Sequence, residues 1–363
     1  MSEPIRVLCV FSTLDRGGAE SMCMELYRHI ERNKVQFDFV KHTSRTGAYE
    51  KEIISLGGRI YEAPRLKVGK IFKYLNWWKT HLDKHKEHQI IHGHFFTISA
   101  VYFYIAKKLG RTTVGHIHIS KPNSIGKAVL GKLISGVTDY PLACSRIAGE
   151  WVYGDRPFTV LNNAIDATKF IANHNTALEI REEYNLRDSF VLGNVSRFNK
   201  QKNPFGILEI FQLVHERRPD SKMIWVGDGP LREDVLAKAE ELGILSDILF
   251  LGVRDDVERI MQAMDVFIFP SFYEGLGIAA VEAQAAGVWT FCSDAIPQEA
   301  AITNLCRFLP LEKLQLWVNE ICKIPAYYEH PTMTEKIVKA GYDIHETAKW
   351  IQEFYLSING NCK

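Results

Sequence analysis

A chain of 363 residues, 46% apolar and 24% charged, is too long for one ordinary core and suits two α/β domains of a globular protein. Its seven cysteines are scattered with no Cys-x-x-Cys pair, which argues against a disulfide framework or a zinc site, and no apolar run reaches the roughly 18 residues of a membrane span. The net charge of +1 hides an asymmetry: residues 1–160 hold 24 Lys and Arg against 14 Asp and Glu, a surplus of +10, and the remainder carries −9. A basic half suits an anionic membrane or an anionic substrate; without a zinc-finger or RNA-binding signature, nucleic acid ranks last as a partner.

The chain passes almost at once into an apolar strand, Ile5 to Ser12, with no secretory leader, so a cytoplasmic protein is expected. Asp15-Arg16-Gly17-Gly18 follows, then a helix carrying Met22, Leu26 and Ile30. A glycine pair there lies at the carboxyl edge of a parallel sheet, where open α/β sheets bind ligands; it equally suits a tight turn that needs glycine. From Gln36 to Ser145 strand and helix segments alternate, which predicts a doubly wound parallel sheet.

Within that run, Arg65 to Lys79 interleaves basic residues with Phe72, Tyr74, Trp77 and Trp78 at near-helical spacing. Two readings stand: an ordinary amphipathic helix packed on the sheet, or an interfacial helix with lysines toward lipid head groups. Lys107, Lys108, Arg111, Lys121, Lys127 and Lys132 would extend the second into a patch, each basic residue contributing about 1 kcal/mol near an anionic leaflet. Two histidine pairs, His92-Gly93-His94 and His116-Ile117-His118, end consecutive strands. Residues two apart share a face, so the pairs suit hydrogen bonds to sugar or phosphate, a structural role, or, least favoured, a metal.

Phe158 to Ile165 reads as a further strand and Asn173 to Arg187 as a polar helix. Strand, basic loop and helix start then follow from Val191, with Arg197 and Lys202 in the loop, Asn203 as N-cap and Pro204 at the first helical position. Met223 to Val226 leads into Gly227-Asp228-Gly229-Pro230, and Ile248 to Gly252 into Val253-Arg254. Val266 to Pro270 is a buried strand, Ser271 to Gly277 supplies turn chemistry, and a small-residue helix runs to Gly287. Such a helix start offers unpaired N–H groups and partial positive charge to a phosphate. Glu274 and Glu282 flank it, roughly 12 Å apart if helical, against about 5 to 9.5 Å in glycoside hydrolases, so a hydrolytic pair is disfavoured.

Glu274 and Glu282, with seven residues between them inside Pro270 to Gly287, resemble the signature of family 4 of the retaining glycosyltransferases, in the branch that builds bacterial exopolysaccharides and capsules. The resemblance covers nearly the whole chain and is strongest from about residue 190 to 300. It implies an α/β GT-B fold of two Rossmann-like doubly wound domains facing each other across a cleft. Residues 1–168, completed by a C-terminal helix near 345–358, would form the acceptor side, and residues 169–344 the nucleotide-sugar side. Asn162 to Asp166 resembles the family's crossover, with Ala164 where Gly is usual.

By the same resemblance Arg197 and Lys202 hold the donor diphosphate, aided by the amides around Gly275, Leu276 and Gly277. Glu282 holds the ribose, Glu274 a donor-sugar hydroxyl, and Val253 and Arg254 flank the base. His118 lines the sugar's site, Gly17 and Gly18 face the donor phosphates and acceptor, and Glu299 matches a late family carboxylate. The implied reaction moves a hexosyl residue with retention from a nucleoside diphosphate sugar, UDP-sugar ahead of GDP-sugar, to a saccharide or lipid-linked saccharide. It needs no divalent metal and no cofactor, the departing phosphate taking the acceptor's proton. Peripheral attachment to the inner face of the cell membrane would run through the basic half. The rivals are a sugar-nucleotide epimerase of the same fold, a phosphorylase, for which no pyridoxal-lysine motif stands out, and a non-catalytic nucleotide-sugar sensor or scaffold.

Overall fold

The computed structural model describes residues 3–67, 69–94, 98–118, 125–326 and 329–359, residues 125–128 by backbone only. The chain divides into two compact units, Met1–Ile165 with Asp343–Lys363, and Asp166–Tyr342.

The first unit is built on a parallel sheet of β1 (Ile5–Val10), β2 (Val35–Lys41), β3 (Ile60–Glu62), β4 (Ile90–Gly93), β5 (Thr112–Ile117), β6 (Tyr140–Ala143) and β7 (Thr159–Val160). Their order across the sheet is β3-β2-β1-β4-β5-β6-β7. Helices α1 (Gly18–His29), α2 (Glu50–Ser55), α3 (Ile71–Lys84), α4 (Ser99–Lys108), α5 (Ile125–Val137) and α6 (Arg146–Tyr153) make the crossovers. Strand alternation sorts the core: Val7 and Cys9 face one cluster with α1, Leu8 and Val10 another with α3 and α4.

In the second unit β8 (Phe190–Val195), β9 (Ser221–Val226), β10 (Ile248–Gly252), β11 (Val266–Phe269), β12 (Trp289–Ser293) and β13 (Cys306–Leu309) form a parallel sheet ordered β10-β9-β8-β11-β12-β13. Its helices are α7 (His174–Glu183), α8 (Pro204–Arg217), α9 (Arg232–Glu241), α10 (Val257–Met261), α11 (Ile278–Ala285), α12 (Leu314–Ile321) and α13 (Thr334–Lys339). Asn203 caps α8 as expected, its side chain accepting from the Gly206 N–H at 3.2 Å. Both sheets reverse strand order once, between β1 and β4 and between β8 and β11; such switch points open a crevice at the carboxyl edge.

The last helix, α14 (Ile344–Asn359), returns to the first unit. Ile344, Ala348, Ile351, Tyr355 and Ile358 recur at helical spacing and bury in the cluster of β1, β2 and α1. The Glu31 N–H also donates to Gln352 Oε1 at 2.7 Å.

One sequence expectation needs correction, and one choice left open is decided. The strand foreseen over Phe158 to Ile165 shrinks to Thr159–Val160, because β6 pairs with it only through Leu142 and Ala143; Ile165 instead bridges to Asp343. In α3, Tyr74 and Trp78 are fully buried against the sheet, as the packed-helix reading has it, while Phe72 is 82% exposed beside exposed Lys70 and Lys73. Lys121 and the Lys127 side chain, offered as part of the basic patch, lie outside the described residues. Among the described residues no helix is long and apolar enough to cross a membrane.

Candidate active site

In the second unit the loops after β8 and β11 meet at the switch point. The Phe272 N–H donates to the Gln201 carbonyl at 2.9 Å, and Gln201 Nε2 to the Tyr273 carbonyl at 3.0 Å. Lys202 Nζ then lies 2.6 Å from Glu274 Oε1, with Gln201 Nε2 3.3 Å from the other carboxylate oxygen. The ammonium also sits 4.7 Å from the centre of the Phe269 ring, a cation–π contact. A buried carboxylate needs such partners, and Glu274 is only 8% exposed.

Behind Glu274, Gly277 takes φ +92° and starts α11, which has neither a side-chain cap nor an acid in its first turn. Its first N–H groups therefore point out of the helix without intrahelical partners, at the positive end of the dipole. Leu276 is buried and Gly275 half-buried at this turn. The helix begins only at Ile278, so Glu274 stands in the loop and the helical-rise spacing drawn from sequence does not apply to it; Glu282 is half-buried on α11 itself.

Arg197 is exposed at the start of the β8 loop. That loop is clamped to the one after β9: Ser196 N–H donates to the Val226 carbonyl at 3.0 Å and Phe198 N–H to the Asp228 carbonyl at 3.1 Å. Gly227 makes the approach possible, since at φ +138° a Cβ would stand 2.0 Å from the Ser196 carbonyl oxygen. After β10, Val253 is 61% exposed, whereas Arg254 forks onto Asp256 with two bonds of 2.8 Å.

Sequence reasoning missed Gln201 and Ser271. Gln201 matters because two loops converge on it, and no local pattern signals that. The Ser271 Oγ, and Oε2 of Glu299, are shielded from solvent without a hydrogen-bond partner among the described residues, an arrangement that fits groups awaiting a ligand.

In the first unit His94 and His118 are joined by a 3.0 Å bond between Nδ1 and Nε2, and Phe11 stacks on His94 at 4.5 Å. His92 Nδ1 meets the Tyr355 hydroxyl at 2.5 Å. Burial lowers every imidazole of the group: His118 and His92 to about 3, His94 and His116 well below the ordinary value. These rings are neutral near pH 7. Gly17 lies just before α1 with φ −115°, and Gly18 opens the helix with open space where a Cβ would stand; neither adopts a conformation reserved for glycine, so the tight-turn reading fails.

Two Rossmann-like parallel sheets, the second presenting a cation–carboxylate pair at its switch point, are the architecture of the GT-B fold. Residues 177–305 match the family described as Glycosyl transferases group 1. EpsF of Bacillus subtilis (strain 168) is 29% identical over 369 residues, spanning 96% of each chain. A UDP-Gal:alpha-D-GlcNAc-diphosphoundecaprenol alpha-1,3-galactosyltransferase of Escherichia coli is 35% identical over 211 residues, 55% of this chain and 54% of that one. Among solved structures, Anabaena Alr3699/HepE in complex with UDP and glucose superposes with a TM-score of 0.77 at 17% identity, over 97% of this chain and 100% of that chain.

Proposed function

We propose that the protein is a retaining hexosyltransferase that takes its sugar from a UDP-sugar and delivers it to a saccharide or lipid-linked saccharide in exopolysaccharide, capsule or other cell-surface glycan synthesis. The observation that carries this reading is the Lys202–Glu274 pair set beside the uncapped start of α11. As the anomeric bond breaks, charge grows on the leaving diphosphate, and Arg197, Lys202 and the amides at Gly275, Leu276 and Gly277 stabilise it without a divalent metal. Glu282 holds the ribose hydroxyls, Glu274 a sugar hydroxyl, and Val253 and Arg254 flank the base. His118, a neutral imidazole, donates or accepts one hydrogen bond at the sugar. Gly17 and Gly18 face the donor phosphates and the acceptor, with open space beside Gly18. The departing phosphate takes the acceptor's proton on the same face.

The undecaprenyl-linked acceptor in the Escherichia coli relative's name supports a lipid-linked acceptor here. Exposed Phe72, Lys70 and Lys73 support peripheral contact with an anionic leaflet, checked by co-sedimentation with phosphatidylglycerol vesicles. The reaction itself is tested by offering radiolabelled UDP-sugars with lipid-linked acceptors. Label moving into the lipid phase with the anomeric configuration kept supports the proposal; an epimer remaining on the nucleotide, or binding without turnover, overturns it.

A further inference from the structure

The histidines that end β4 and β5 are more numerous than one sugar contact requires. The His116 and His118 ring centres are 4.2 Å apart, and His94 stands 5.4 Å from His116 and 5.2 Å from His118. His94 and His116 are buried, yet Nε2 of His94, one nitrogen of His116 and Nδ1 of His118 have no hydrogen-bond partner among the described residues. Buried polar atoms are nearly always satisfied, so this concentration in one place calls for a missing partner. One nitrogen from each of His94, His116 and His118 lies within 4.8 Å of the others. Bonds from zinc to imidazole are about 2.0–2.1 Å, so nitrogens sharing a tetrahedral ion stand about 3.3–3.4 Å apart, a closure that side-chain rotation can supply.

We propose that His94, His116 and His118 form a binding site for one borderline transition-metal ion, of the zinc or cobalt class. Imidazole suits these ions. Cys9, His92 and His94 also come within reach of one another. That set is the poorer one, because one of its three members, His92, already engages the Tyr355 hydroxyl. His92 is committed to the Tyr355 hydroxyl and acts as a positioning neighbour of His94, the two ring centres being 4.1 Å apart.

Three nitrogens leave a fourth position open. The ion is not part of glycosyl transfer. It takes His118, the ring that the proposed transferase reading gives to the donor sugar, and on that reading it competes with the donor.

Untagged, chelator-treated full-length protein is titrated with Co2+ and followed by visible absorption, and with Zn2+ by calorimetry. One equivalent, a tetrahedral Co2+ band without a thiolate charge-transfer band, and affinity at least about tenfold weaker in His94→Gln and His116→Gln are expected. Weak binding of several equivalents that neither substitution alters overturns the site, as does a thiolate band. Should the variants fail to fold, the wild-type Co2+ band and stoichiometry decide alone. Zn2+ should raise the KM for the donor. One-equivalent binding that leaves KM unchanged contradicts the sugar role of His118 and not the ion site, so the two failures are told apart.

Discussion

Lys202 and Glu274 stand 2.6 Å apart although 72 residues separate them, and their contact ties the loop after β8 to the loop after β11. With side-chain exposures of 19% and 7%, the pair is mostly withdrawn from water. Lys202→Ala would remove the cation that stands 2.6 Å from this largely buried carboxylate. Breaking a fully buried pair costs about 3–5 kcal/mol; part exposure of the lysine reduces the expected loss to about 1–3 kcal/mol. Glu274→Gln keeps a hydrogen-bonding partner and should cost less. Urea denaturation of both variants, with the double substitution closing the cycle, measures the coupling.

Gly227→Ala should disturb the site without touching any proposed ligand contact. A Cβ 2.0 Å from the Ser196 carbonyl forces the two loops apart, and φ +138° is strained for alanine. A stability loss of at least about 1–3 kcal/mol and a lower kcat/KM are expected. Thermal melting and transfer assays on the same preparation check both.

Acid should weaken the first unit from near neutrality. Unfolded imidazoles take up protons around pH 6.5, while folded His92 and His118 resist until about 3 and His94 and His116 also stay neutral. The unfolded state therefore binds more protons below pH 6.5. Stability is full above that value and falls as pH drops toward 3, by about 1.4 kcal/mol per pH unit for each proton. Hydrogen exchange at β4 and β5, followed from pH 7 to 5, should show protection falling faster than at β8 and β9.

Asp38 anchors the same unit from the other end of the sheet. Fully buried, it accepts from Arg6 Nε at 2.7 Å, His88 Nε2 at 2.8 Å and the Arg59 N–H at 2.8 Å. Although burial opposes its charge, these donors hold its carboxyl down at about 2. Asp38→Ala should cost about 3–5 kcal/mol by leaving the Arg6 guanidinium without its carboxylate and His88 Nε2 without its hydrogen-bond partner, read by denaturant titration.

Much of this was legible in the chain. Apolar runs such as Phe267 to Phe269, bounded by glycine and serine, mark buried parallel strands, and Asn203-Pro204 marks the start of α8 with its cap. The fold class followed from the strand–helix alternation and from the resemblance carried by the Glu274–Glu282 stretch, and residues 177–305 match the group 1 glycosyl transferase family. What stayed hidden depends on meetings between distant segments. Gln201 gains its place only when two loops converge, and His92 reaches Tyr355 across 263 positions. The purpose of Gly227 was equally invisible, because the clash it avoids is with Ser196 on another strand's loop. The short β7 was overread since strand propensity says nothing of how much partner strand is available.

The central claim is that Arg197 and Lys202 hold the donor's diphosphate beside the start of α11, and calorimetric titration with UDP tests it most directly. Wild-type protein should bind UDP, with affinity lowered at least about tenfold in Arg197→Ala and again in Lys202→Ala, as hydrogen bonds between charged groups contribute about 1.5–3 kcal/mol each. Uridine, lacking the phosphates, should bind weakly and be indifferent to both substitutions. UDP affinity unchanged in the folded double variant would contradict the claim.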